Sequence, residues 1–123
     1  MSRTGELHVT KECSAYKGNA KDFCTITASN IDEIGAGSKV VYAEAAAEGS
    51  LDSAIVIEAG PGNTANGHVT LDLAKGTGRL TFSGGTGTLA GFAGSADVSA
   101  DAAGLWHWEG TYSLGSKAEA VTR

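Results

Sequence analysis

The stretch Leu80–Gly94, LTFSGGTGTLAGFAG, constrains the fold more than any other part of this chain. A short apolar strand pattern, Leu80-Thr81-Phe82, runs into Gly84-Gly85-Thr86-Gly87. A turn carrying Leu89 and Phe92 follows, with Gly91 and Gly94 bracketing its exit. Glycine loses more backbone entropy on ordering than any other residue, so such a run implies left-handed backbone or close approach of a neighbouring strand. The pattern predicts a corner where the chain leaves one strand, tucks two apolar side chains under a barrel end, and enters the next. A phosphate loop is the competing reading. The dinucleotide fingerprint needs a strand–turn–helix context. Here Ala90 takes the place of its third glycine, the GSADVSAD that follows alternates like a strand, and no GK[ST] is present.

The rest of the chain alternates in the same way. Glu6–Ser14, Phe23–Ser29, Lys39–Ala45, Ser53–Ala59, His68–Leu73, Arg79–Phe82, Ser95–Ala100 and Leu105–Leu114 each read as strands with period-two patterning. Ser29–Ile34 reads as one helical turn capped by Ser29 or Asn30, and Gly60–Gly67 is the clearest loop. About eight short strands at near-even spacing, with glycine-rich turns and at most one short helical turn, predict an all-β fold, a small closed antiparallel barrel. An eight-stranded barrel is either filled by side chains or just wide enough for one small ligand. Ala43, Ala54, Ala96 and Gly110 are small residues expected to leave room inside.

The two cysteines fall on the first hairpin. A turn centred between Gly18 and Asn19 puts Cys13 opposite Cys24, close enough for a disulfide. A bridge implies an oxidising compartment, hence a secreted or exported protein whose signal peptide is absent from these 123 residues; two free buried thiols in a cytoplasmic protein are the alternative. The spacing offers no third ligand for a metal.

Length predicts a single barrel domain over 1–115 and a polar, disordered tail over 116–123. The net charge is −5, and Lys11, Lys17, Lys21, Lys39, Lys75 and Lys117 are scattered singly, which argues against nucleic acid as a partner. No apolar run approaches a membrane span.

Three constellations are candidates for chemistry. Trp106, Trp108 and Tyr112 share one face of the last strand. Joined by Tyr42, Phe82 and Phe92, they would line a mouth for a small hydrophobic ligand. On the opposite face, His107 and Glu109, with His68 and Asp72 across strands, make an acid/base set that competes with a solvated strand face. Tyr42 and Glu44 are weak catalytic candidates if both enter an apolar barrel, against Glu44 sitting at a strand end in water. Neither a nucleophile elbow nor clustered metal ligands are present, and no cofactor is implied.

Ser83-Gly84-Gly85-Thr86-Gly87, Leu89-Ala90-Gly91 and Gly94, followed by Trp106-His107-Trp108-Glu109-Gly110-Thr111-Tyr112, resemble a segment of allene oxide cyclases and the related dirigent-type barrels. The similarity covers Gly67–Leu114, and we read the chain as resembling a bacterial member of that group. The resemblance implies a small barrel with an apolar cavity, a trimer, no redox cofactor, and catalysis by orienting a reactive intermediate. The proline-containing N-terminal catalytic segment of the plant cyclases has no counterpart here, since residues 1–60 hold no proline, so no catalytic residue is carried over. The leading expectation is a barrel that binds a small apolar molecule, extending to a cofactor-independent cyclase or isomerase. A non-catalytic exported carrier or interaction module is the alternative. Carbohydrate binding, weaker still, would need Trp106 and Trp108 on an open outer surface.

Overall fold

The computed structural model describes residues 3–114. Eight strands follow in order: β1 (Arg3–Glu12), β2 (Phe23–Ser29), β3 (Lys39–Tyr42), β4 (Ser50–Gly60), β5 (Asn63–Asp72), β6 (Thr77–Gly85), β7 (Phe92–Ala100) and β8 (Trp106–Leu114). Each pairs antiparallel with the next. β8 then returns to β1, in register from Arg3 opposite Leu114 to Lys11 opposite Trp106. Closure leaves no unpaired sheet edge. The helical piece among the described residues is a 3₁₀ turn at Gly87–Leu89. The expected tail, 116–123, lies outside the described residues.

The alternation read from the sequence sets the inside of the barrel. Leu7 and Val9 on β1, Ile26 on β2, Val40 on β3, Leu51, Ile55 and Ile57 on β4, Val69 and Leu71 on β5, Leu80 on β6, and Ala96 and Val98 on β7 are all buried. One end carries the loops 13–22, 43–49, 73–76 and 101–105; the other carries 30–38, 61–62 and 86–91. Ile31, Ile34 and Leu89, each no more than 1% exposed, stopper that second end.

The glycine corner forms there as expected. Gly87 sits at φ +62, and a Cβ on it would overlap the Asn63 side chain and the Gly62 carbonyl. The Thr86 hydroxyl accepts from Thr64 N at 3.1 Å and donates to Gly62 O at 3.0 Å. The corner is thereby locked onto the β4–β5 hairpin. Inside the barrel, Gly110 serves a second purpose. A Cβ there would lie 2.6 Å from Ala96 Cα and against Ser95 O, so only glycine lets β7 and β8 approach this closely.

Four local expectations are corrected. Gly60–Gly67 is not a loop: β5 starts at Asn63, and only Pro61 and Gly62 link it to β4. Thr64, Ala65, Asn66 and Gly67 pair with Glu58, Ile57, Val56 and Ile55, so ladder formation overrides their turn-like composition. Ser29–Ile34 holds a hydrogen-bonded turn rather than a helical one, with the Ser29 hydroxyl accepting from Ile31 N at 3.0 Å and Ile34 N donating to Ile31 O. Ala54 faces outward, between the buried Ser53 and Ile55. Ala43 lies past the end of β3, exposed. Neither therefore makes room inside.

The hairpin register carries Cys13 to Cys24. With Lys11 opposite Ile26 and Glu12 opposite Thr25, the next pair is the two cysteines, bridged with Cα atoms 4.2 Å apart. Across the same barrel end, Ala46 N donates to Gly18 O and Lys21 N to Tyr42 O, tying loop 13–22 to β3 and its following loop.

Close approach at Gly110 is testable. Gly110→Ala should cost about 2 kcal/mol or more, since backbone rather than a flexible side chain must move. Gly35→Ala, where the nearest atom is 4.0 Å away and φ is unexceptional, should stay within about 0.5–1 kcal/mol of the parent. Urea unfolding midpoints compare the two.

Candidate functional site

Strand β8 turns its aromatic face inward. Trp108 is 1% exposed, Phe82, Phe92 and Tyr42 are buried, and Trp106 and Tyr112 are half-buried on the same face. Phe82 packs on Phe92 with centroids 4.8 Å apart and on the edge of Trp108 at 5.8 Å; Phe92 meets Tyr112 at 5.8 Å. Tyr112 fits because its register partners on both sides, Gly5 and Gly94, have no side chain. These rings fill the middle of the barrel and its stoppered end.

The other end is built around Lys11, which the sequence presents only as one of six scattered lysines. Lys11 continues the inward series Leu7, Val9 on β1, and it is 2% exposed. Its Nζ lies 5.3 Å from the Trp106 ring centroid, 5.8 Å from Trp108 and 5.6 Å from Tyr42. It donates to the two bridged sulfurs, Cys13 Sγ at 3.5 Å and Cys24 Sγ at 3.8 Å, which are weak acceptors. Among the described residues no carboxylate pairs with it. Burial lowers its pKa to about 7. Desolvation is the cause of that shift, and the three ring faces, which favour the ammonium form, act against it. At a value of about 7 the amine is close to balanced between its two forms at neutral pH.

Tyr42 and Tyr16 complete this end. The two rings tilt against each other at 4.9 Å. The Tyr42 hydroxyl donates to Cys24 Sγ at 3.7 Å, since the bridged sulfur has no proton. The Tyr16 hydroxyl is buried and has no hydrogen-bond partner among the described residues. Burial raises the pKa of both phenols, with Asp22 adding to the effect at Tyr16, so both stay protonated donors at neutral pH. Lys11 and Tyr16 thus flank Tyr42, each offering a donor that no described oxygen receives.

The remaining candidates lie outside. Glu44 does not join Tyr42 in the barrel: β3 ends at Tyr42, and the exposed Glu44 carboxylate accepts from Ala54 N at 3.3 Å. His107 and Glu109 share the outer face but do not pair. His107 bonds Asp101 at 2.6 Å, which lowers the Asp101 pKa, while Glu109 pairs with His8 across β1–β8. His8 also holds Glu6 at 2.7 Å, and the two carboxylates raise its pKa, Glu6 first. His68 pairs with Asp52 on β4, not Asp72. These are solvated cross-strand pairs whose partners depend on the barrel register. Among the described residues no group of His, Cys, Asp and Glu side chains is arranged to hold a metal ion.

The solved structures supply one comparison of fold. The chain is similar to a pterocarpan synthase dirigent protein, with a TM-score of 0.58 and 11% identity over 94% of this chain and 90% of that one. It has a dirigent-like barrel fold. At that identity the likeness is one of architecture. No family model and no curated protein matches the chain.

Lys11 makes the barrel's stability depend on pH. The unfolded chain keeps this proton up to the ordinary value of 10.5, whereas the folded barrel releases it near 7. Between these values the unfolded state binds the extra proton, so stability rises with pH, by about 1.4 kcal/mol per pH unit from this group. Lys11→Met should abolish that rise and be about 1–4 kcal/mol more stable than the parent at pH 6. Denaturant unfolding between pH 6 and pH 10 reads both.

Proposed function

We propose that this protein binds a small apolar molecule at the end of the barrel bounded by Lys11, Tyr16, Tyr42 and Trp106, and steers its reactivity by shape. The observation that carries this reading is the buried Lys11 amine, set among ring faces and without a described carboxylate. Packing alone gives no reason to hold an amine there, because a methionine of similar volume would avoid the desolvation cost. A perturbed ionisable group among apolar side chains is the common signature of a functional site. A buried ionisable group facing an apolar interior also separates a barrel that does chemistry from an inert one. The reading extends to a cofactor-independent cyclase or isomerase of the allene oxide cyclase type, in which positioning supplies most of the rate. The similar dirigent protein is named a synthase, which is consistent with a barrel of this shape guiding a ring-forming step. The Cys13–Cys24 bridge supports export to an oxidising compartment.

A non-catalytic interaction module is the second reading, favoured by the filled middle of the barrel, where Phe82, Phe92 and Trp108 pack together. Sugar stacking fits less well, because Trp108 is 1% exposed and faces inward.

Tryptophan fluorescence titrated with apolar probes, medium-chain alcohols and polycyclic compounds tests the site. Saturable quenching is expected for at least one class. Trp106→Ala should weaken it about tenfold, roughly 1.4 kcal/mol, while the β-sheet circular dichroism is retained. Saturable binding that Trp106→Ala leaves unchanged would move the ligand elsewhere, and no binding by any class would favour a filled interaction module.

A further inference from the structure

We propose that Lys11 is a carbonyl-capturing amine: the barrel end formed by Lys11, Tyr16, Tyr42, Trp106 and the Cys13–Cys24 bridge takes a small apolar aldehyde and holds it as an imine on Lys11 Nζ. The inference rests on the binding reading above and names its ligand class.

The argument is one of matching donors to acceptors. Among the described residues, two donors at this end lack an oxygen acceptor: Lys11 Nζ, set against the bridged sulfurs and three rings, and the buried Tyr16 hydroxyl. Both flank the Tyr42 ring, with Lys11 Nζ 5.6 Å from its centroid and the Tyr16 ring at 4.9 Å. An aldehyde oxygen has two lone pairs and carries no charge, so the two donors satisfy it as the ligand enters; once the imine forms, the nitrogen has no hydrogen to place and the released water is the acceptor for the Tyr16 hydroxyl. A carboxylate has about four acceptor sites and a full charge, and burying it beside two donors would leave acceptors unanswered. The rings of Tyr42, Trp106 and Trp108 around Lys11 suit an alkyl or aryl chain, with Asp22 the charged neighbour of Tyr16. Trp106 and Tyr16 are only half-buried. The adjoining 43–49 loop holds small exposed residues, Ala43, Ala45, Ala47 and Gly49. An entering chain has side chains and the loop contacts between 13–22 and 43–49 to displace there.

The step balances without a co-reactant. The neutral Nζ lone pair attacks the carbonyl carbon while the carbonyl oxygen rests on the Tyr16 hydroxyl. Both amine hydrogens leave with that oxygen as water, and a C=N bond replaces C=O. The lowered pKa of Lys11 supports this, since a useful fraction of the amine is unprotonated at neutral pH.

The test incubates the intact, oxidised protein with octanal and sodium cyanoborohydride at pH 7.5 and maps the alkylated peptides by mass. Octanol binding, followed by tryptophan fluorescence, reports on plain apolar binding in parallel. We expect an octyl adduct on Lys11 to form at least tenfold faster than on the exposed Lys17, Lys21, Lys39 and Lys75, and to slow as pH falls below 7. Lys11→Met should lose the adduct and Tyr16→Phe should slow trapping several-fold, both with the β-sheet circular dichroism retained; Lys39→Met, exposed at the opposite end of the barrel, should leave the Lys11 adduct and octanol binding unchanged. Adducts spread evenly over the exposed lysines, with octanol still bound saturably, would overturn the assignment and leave the binding reading standing. Octanoate binding with uptake of a proton, and no adduct on Lys11, would assign the amine to a carboxylate instead. Failure of octanol and octanal alike would sink both readings together.

Discussion

Everything at the candidate site depends on the closing seam between β1 and β8. That ladder is the longest-range pairing in the chain, joining residues about a hundred positions apart, and it sets Lys11 directly opposite Trp106. Without closure Lys11 would be the last inward residue of an edge strand, free to reach water along its flexible stem, as lysines ordinarily do. With closure, the indoles of β8 cover it from one side. The β1–β2 hairpin, pinned by the Cys13–Cys24 bridge, covers it from the other. A seam, a bridge and a β3 tyrosine together convert an ordinary strand-end lysine into a buried amine.

The two ends of the barrel have different chemistry. One is packed in the usual way: Ile31, Ile34 and Leu89 close it, and Phe82, Phe92 and Trp108 fill the space behind them. The other holds the polar atoms that packing does not explain. Marginally stable proteins retain an unpaired buried donor only where something offsets its cost. Here two such groups lie at the same end, around the same tyrosine. That coincidence separates this site from the histidine–carboxylate pairs on the outer face, where water satisfies whatever the partner does not.

Much of this architecture was readable from the residues. Period-two alternation separated the two faces of β1, β5 and β8 without saying which of them is inside, the glycine run marked the corner at the second end, and hairpin symmetry paired the cysteines. The errors have a common physical origin in contacts between strands distant in sequence. Asn63, Thr64, Asn66 and Gly67 carry turn chemistry, yet their backbone groups are taken up by β4 and β6. The histidines were grouped by their own strand, whereas their partners come from neighbouring strands, Asp52 from β4 and Glu6 and Glu109 from the β1–β8 seam. The significance of Lys11 was not legible, because nothing in a lysine at the end of one strand says that the last strand of the chain will roof it with tryptophans.

The measurement that bears most directly on this account is the titration of Lys11 by NMR, following the Cε and Hε signals of selectively labelled lysine, assigned by Lys11→Met. A midpoint near 7, well apart from the other lysines, is the predicted result. A midpoint near 10.5, shared with the surface lysines, would mean that the amine reaches water or an anion in solution, and the site at this end of the barrel would lose its basis.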